Sequence, residues 1–213
     1  EEFLDGIGET LNNKRRRASF ATYAYGLLSD AERKSMEPIA ARASGNPDTV
    51  VAHHERLVHF LADSPWKDRP VREFAARYAL DEMTSHSPVT AWIVDDTGFL
   101  KKGDHSPGVQ RQYTGSAGKV TNCQIGVSLV VATTESHVAV DFDLYIPESW
   151  ADDRARCKKA HIPDDLAFRP KWKIALELLG RACEAGYPRG TVLADSGYGY
   201  IPAFRQGLDE LQL

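Results

Sequence analysis

The sequence predicts an α/β fold, a mixed sheet with flanking helices, preceded by an all-α N-terminal domain. Three observations carry the prediction. Up to about residue 85, apolar side chains recur at helical spacing. After His86-Ser87-Pro88 they gather instead into short runs rich in β-branched residues. One amphipathic helical segment then separates the last of those runs from the earlier ones. The boundary divides residues 1–87 from residues 88–213.

In the N-terminal part, Phe20, Tyr23, Ala24, Leu27 and Leu28 form one helical stripe, and Val50, Leu57, Val58, Phe60 and Leu61 form another. Asp48 and Thr49 suit the N-cap of the second segment. Ser64-Pro65-Trp66 breaks it, and Pro70 opens a further helix to about Asp81. Short helices joined by tight turns suit a small DNA-binding bundle, and they suit other helical bundles equally well. Lys14-Arg15-Arg16-Arg17 is a basic block that serves either as a phosphate contact or as a solvated face.

Beyond the boundary, Thr90 to Val94 reads as a buried strand ending on Asp95 and Asp96. From Gly98 to about Lys119 the chain reads as a basic loop holding five of the 16 glycines. Asn122 to Thr134 and His137 to Ile146 read as strands, joined by a hairpin turn at Thr134-Glu135-Ser136. Pro147 to Arg169 is polar, an excursion from the core. A helix is expected from about Pro170 to Ala185, with Ala175, Leu178, Leu179, Ala182 and Cys183 on one face and Gly186 ending it. Thr191 to Ala194 is a short strand ending on Asp195, and Ile201 to Leu213 begins another helix. If the sheet has the ribonuclease H arrangement, a right-handed crossover returns the fourth of these strands beside the first. Asp95 and Asp195, 100 residues apart, would then meet.

Composition narrows the function classes. With 42% hydrophobic and 26% charged residues, the 213-residue chain is ordinary for a globular protein. No apolar run approaches the roughly 20 residues of a membrane helix, and no apolar signal segment follows Glu1. Cys123, Cys157 and Cys183 are odd in number and widely spaced, which fits a reduced, cytoplasmic chain better than a disulfide framework or a zinc cluster. The net charge of -4 argues against coating nucleic acid through bulk charge. Local charge differs: from Gly98 to Val120, Lys101, Lys102, Arg111 and Lys119 face a single acid, Asp104.

Two carboxylates at adjacent strand ends repel each other unless a cation lies between them. Oxygen ligands on rigid strands suit Mg²⁺ or Mn²⁺, ions that bind substrate phosphate as well. Aspartate after a strand serves equally well as a helix N-cap or turn residue, and Asp195-Ser196-Gly197 and Asp95-Asp96-Thr97-Gly98 fit both roles. In the loop between them, Lys101, Lys102, Arg111 and Lys119 are candidate phosphate contacts, and Tyr113 can stack on a base or sugar. His53, His54 and His59 read as helix-face histidines, since no Cys or clustered acid accompanies them. There is no Walker lysine, no G-x-G-x-x-G and no G-x-S-x-G elbow.

Four blocks together resemble a bacterial DDE transposase of the insertion-sequence-701 type. They are V-D-D-T-G-F-L-K-K-G (94–103), R-Q-Y-T-G-S-A-G-K-V-T-N-C-Q-I-G-V-S-L (111–129), L-Y-I-P-E-S-W-A-D-D-R-A-R (144–156) and L-A-D-S-G-Y-G (193–199). S-P-W at 64–66 and P-V-R at 70–72 are similar to that family's N-terminal region. The resemblance implies a ribonuclease H-like core that cuts DNA at the ends of a mobile element and joins the 3′-hydroxyl to target DNA, using Mg²⁺ (or Mn²⁺) held by three acids. It matches Asp95 to the first acid, with Asp96 as its neighbouring alternative, and Asp195 to the second. The third, a glutamate on a later helix, has no counterpart; Glu210 comes too soon after Asp195. The implied partners are double-stranded DNA (terminal inverted repeats and target) and a second copy of the chain, in a nucleoid-associated setting. The missing glutamate leaves an alternative, a transposase-derived protein that binds DNA without cutting it.

Overall fold

The computed structural model describes residues 1–213. The chain forms two compact units, Glu1–Tyr78 and Ala79–Leu213. The first holds α1 (Glu2–Thr10), α2 (Lys14–Leu28), α3 (Met36–Ser44), α4 (Val50–Ala62) and the start of α5 (Asp68–His86). α1 and α3, nine residues each, are not among the helices the sequence predicts. The basic block begins α2: the Asn13 side chain accepts from the Arg15 and Arg16 amides, satisfying two N–H groups that lack helical partners. Ile39, Ala40 and Leu57 form a small core with Tyr23 and Met36. α2 approaches α3 closely at Gly26, where a Cβ would lie 2.5 Å from Ile39 Cγ2. Thr49 is the N-cap residue of α4, without a side-chain cap bond; Asn46 caps the turn before it.

The second unit is a five-stranded mixed sheet with helices against it. Its elements are β1 (Ala91–Leu100), β2 (Gln110–Thr114), β3 (Lys119–Ala132), β4 (His137–Tyr145), α6 (Glu148–Ala151), α7 (Arg154–Lys159), α8 (Lys171–Glu184), β5 (Thr191–Ala194), α9 (Ser196–Gly199) and α10 (Pro202–Glu210). β3 is central. β1 lies antiparallel along one side, while β2 and β4 take successive stretches of the other. β5 joins the far edge of β1 in parallel. The strand at Thr191 therefore does return beside the first.

Alternation along β3 explains the packing. Cys123, Ile125, Val127, Leu129 and Val131 are all 0% exposed, so every second side chain enters one face. Trp92 and Val94 of β1 join that face by register with Val131 and Leu129. α8 covers it with Ile174, Ala175, Leu178, Leu179 and Ala182, the stripe expected from the sequence except that Ile174 takes part and Cys183 is only half-buried. Arg181 of α8 pairs with Asp141 at 2.7 Å, and Arg169 lies between Asp143 and Glu177. A second cluster, Val109, Ile146, Trp150, Cys157 and Ile162, roots the polar 147–169 excursion. Trp150 there donates its indole N–H to the Val109 carbonyl at 2.8 Å.

Two sequence expectations change. The first strand does not end at Asp95 but runs to Leu100, because Phe99 and Leu100 still pair with Gln124 and Cys123. The stretch from Gly98 to Lys119 is not one loop: Gln110–Thr114 forms β2, paired with Lys119–Cys123. Its sequence, Gln-Arg-Gln-Tyr-Thr, lacks apolar alternation, so no period-2 signal marks it. No helix of the chain is long and apolar enough to cross a membrane.

Candidate active site

β5 is four residues long and β1 is ten. Their parallel register ends at Val94 opposite Ala194. Asp95 and Asp195 are each the next residue, so both carboxylates stand where the edge strand stops and the longer strand continues. Asp195, just past β5, is the N-cap residue of α9, while Asp95 takes one face of β1 by the pleat. Asp96, one residue on, belongs to the opposite side with Trp92 and Val94.

Local chemistry holds each acid. Asp195 caps the short helix α9, its Oδ1 accepting from the Tyr198 amide at 3.2 Å. The N-cap role is thus realised, and it engages one of two carboxylate oxygens. Asp95 Oδ1 accepts from the Asp96 amide at 2.7 Å. Asp96 Oδ2 accepts from Lys171 Nζ at 2.8 Å and from the Tyr198 hydroxyl at 3.5 Å. Burial, then the charges of Asp96, Asp195 and Asp95, push the Tyr198 phenol far above its ordinary value. It therefore remains a neutral donor throughout the working pH range.

These groups line a cleft of about 710 Å³. Its walls include Asp95, Asp96, Asp195, Tyr113, Lys171 and Trp172. The β2–β3 turn forms part of the rim: Ser116 Oγ donates to the Gly98 carbonyl at 2.7 Å. Of the residues expected to touch a phosphate chain, the structure brings Tyr113 into this cleft. Lys101, Lys102, Arg111 and Lys119 lie outside its lining. Arg111 shares the alternation of Tyr113 along β2, and both are exposed. Sequence reasoning missed Lys171, Trp172 and Tyr198. Lys171-Trp172 follows Pro170 at a helix start, and only its place beside Asp96 marks it. The Gly-Tyr-Gly at 197–199 was the one available sign of Tyr198.

The donor set is all oxygen, which suits a hard divalent cation bound through two carboxylates with water and substrate phosphate completing the shell. No three His, Cys, Asp or Glu side chains converge on one point. Asp95 and Asp195 supply carboxylate oxygens of the kind such an ion takes.

The helical unit has a cleft of its own, about 990 Å³, between α2 and α4. Arg15, Arg16, Arg56, His53 and His59 line it, with Glu55 the one acid. Arg16 is fixed there by donating to Ser64 Oγ at 3.0 Å.

The chain is 30% identical over 199 residues to "Probable transposase for insertion sequence element IS701" of Microchaete diplosiphon. The match covers 92% of this chain and 47% of that relative, so the chain spans about half the relative's length. The family model described as DDE superfamily endonuclease matches residues 3–213. Nearly the whole chain is matched, and it belongs to the DDE superfamily endonucleases.

Proposed function

We propose that this chain carries the first part of a ribonuclease H-like transposase core, with a separate all-α N-terminal domain, and that it acts in metal-dependent cleavage and joining of DNA at insertion-sequence ends. The observation that carries the reading is the register of β1 and β5, in which Asp95 and Asp195 follow the last paired residues. The name of the relative is consistent with it.

Asp95, midway along β1, and Asp195, the residue just past β5, would hold the ion. A bound Mg²⁺ or Mn²⁺ supplies charge stabilisation at the reacting phosphate and lowers the pKa of an attacking water or 3′-hydroxyl. Asp195 is preorganised by its own cap bond, so it need not reorient on loading. Tyr113 and Trp172, on the cleft wall, offer ring faces to a base or sugar. Lys101, Lys102, Arg111 and Lys119 take the DNA backbone beyond the cleft, and Arg15, Arg16 and Arg56 take it on the helical unit. Joining two ends at one target places two copies on the DNA, so the active form is a homodimer.

A second reading, binding without cutting, is favoured by one observation: no three acidic side chains are grouped so as to hold a metal ion together. The test is strand cleavage of a duplex carrying the element's ends, with Mg²⁺ or with a chelator. The first reading predicts metal-dependent nicking that falls about 100-fold or more in Asp95→Ala and in Asp195→Ala. Cleavage at the parent rate in either variant overturns that ligand assignment. Specific binding with no cleavage at saturating metal establishes the second reading instead.

A further inference from the structure

Asp95 and Asp96 are consecutive, yet the pleat of β1 sends them to opposite faces. Asp96 shares its face with Trp92 and Val94, 0% and 1% exposed. Its Oδ2 is engaged twice, by Lys171 Nζ at 2.8 Å and by the Tyr198 hydroxyl at 3.5 Å. Tyr198 in turn donates its amide to Asp195 Oδ1 at 3.2 Å. Polar contacts therefore run unbroken from Lys171, the first residue of α8, through Asp96 to Tyr198 and Asp195. The ammonium and carboxylate of the pair are 32% and 27% exposed, so solvent screens them only in part.

We propose that Asp96 is a strut and not a metal ligand: tied to Lys171 and Tyr198, it fixes the spacing between Asp95 on its own strand and Asp195 at the head of α9. The inference rests on Asp95 and Asp195 being the metal-binding pair. A carboxylate already matched to an ammonium group is a poor donor to a second cation. Bringing a divalent ion to it would either break the ion pair or crowd two cations together. Outer contacts of this kind orient the ligands of an ion and set its affinity. Lys171, Asp96 and Tyr198 are positioning residues in this scheme, and Asp95 and Asp195 remain the groups that touch the ion.

The test measures Mn²⁺ affinity of the chain directly, by water-proton relaxation, with thermal unfolding in parallel. Asp95→Asn and Asp195→Asn are each expected to weaken Mn²⁺ binding about tenfold or more. Unchanged affinity in both removes the metal-pair reading itself, a failure separate from that of the strut. Asp96→Asn keeps an oxygen acceptor for Lys171 and Tyr198 while losing the charge, and is expected to change affinity by threefold or less. A larger loss places Asp96 in the ligand set and overturns the proposal. Tyr198→Phe removes only the hydroxyl. It is expected to weaken Mn²⁺ binding by about threefold or more, with the melting temperature within about 3 °C of the parent. An unchanged affinity in that variant also overturns it.

Discussion

Gly98 shows how closely the site is built at the level of single residues. A Cβ there would fall 1.9 Å from Thr114 Oγ1 and 2.4 Å from Thr114 Cβ, so only a glycine lets the β2–β3 turn fold against β1. Thr114 is 1% exposed and cannot swing away into solvent. Gly98→Ala should destabilise the fold by about 1–3 kcal/mol, read by chemical denaturation, through forced displacement of the turn. A variant as stable as the parent would mean the turn is free to move. In the sequence, Gly98 was legible only as part of a glycine-rich stretch. An acid after a β-branched run is a compact local signal, and it is what makes Asp95 and Asp195 candidates in the sequence. The same signal could not distinguish Asp95 from Asp96. The two differ in which face of the strand each side chain takes, and that difference becomes visible only once the register of β1 with β3 is known.

Elements with strong periodicity were read well, and the others were read by neighbourhood. α8 declared itself through apolar residues on one stripe, and it does cover the sheet with that stripe. β2 did not, because an edge strand of Gln, Arg, Gln, Tyr and Thr draws its stability from backbone pairing with β3 and not from a buried side-chain face. β1 outruns its sequence signal for a related reason. Its second half passes the end of β5 and carries exposed residues at Phe99 and Leu100, which resemble a loop until their pairing partners appear. The dependence of the site on α8 is testable. Leu178 is 0% exposed between helix and sheet. Leu178→Ala should cost about 2–5 kcal/mol in denaturant unfolding by leaving a cavity under the sheet. A cost below about 1 kcal/mol would show that α8 does not hold the face on which Asp96 lies.

For the whole molecule, composition was a poor guide to chemistry. A net charge of -4 hides two basic regions, one at the start of α2 and one from Lys101 to Lys119. The boundary expected at residue 87 reflects the change of period in the sequence. The compact units meet in sequence between Tyr78 and Ala79, inside α5. What neither composition nor periodicity could supply is the meeting of residues 100 positions apart, which depends on the crossover through α8 returning β5 to the edge of β1. The claim that this meeting makes a metal site is tested most directly by a crystal of the chain soaked in Mn²⁺ and measured at the manganese absorption edge. The expected result is an anomalous peak about 2 Å from carboxylate oxygens of both Asp95 and Asp195, with the Lys171–Asp96 pair intact. Saturating Mn²⁺ with no peak between those two carboxylates would contradict it.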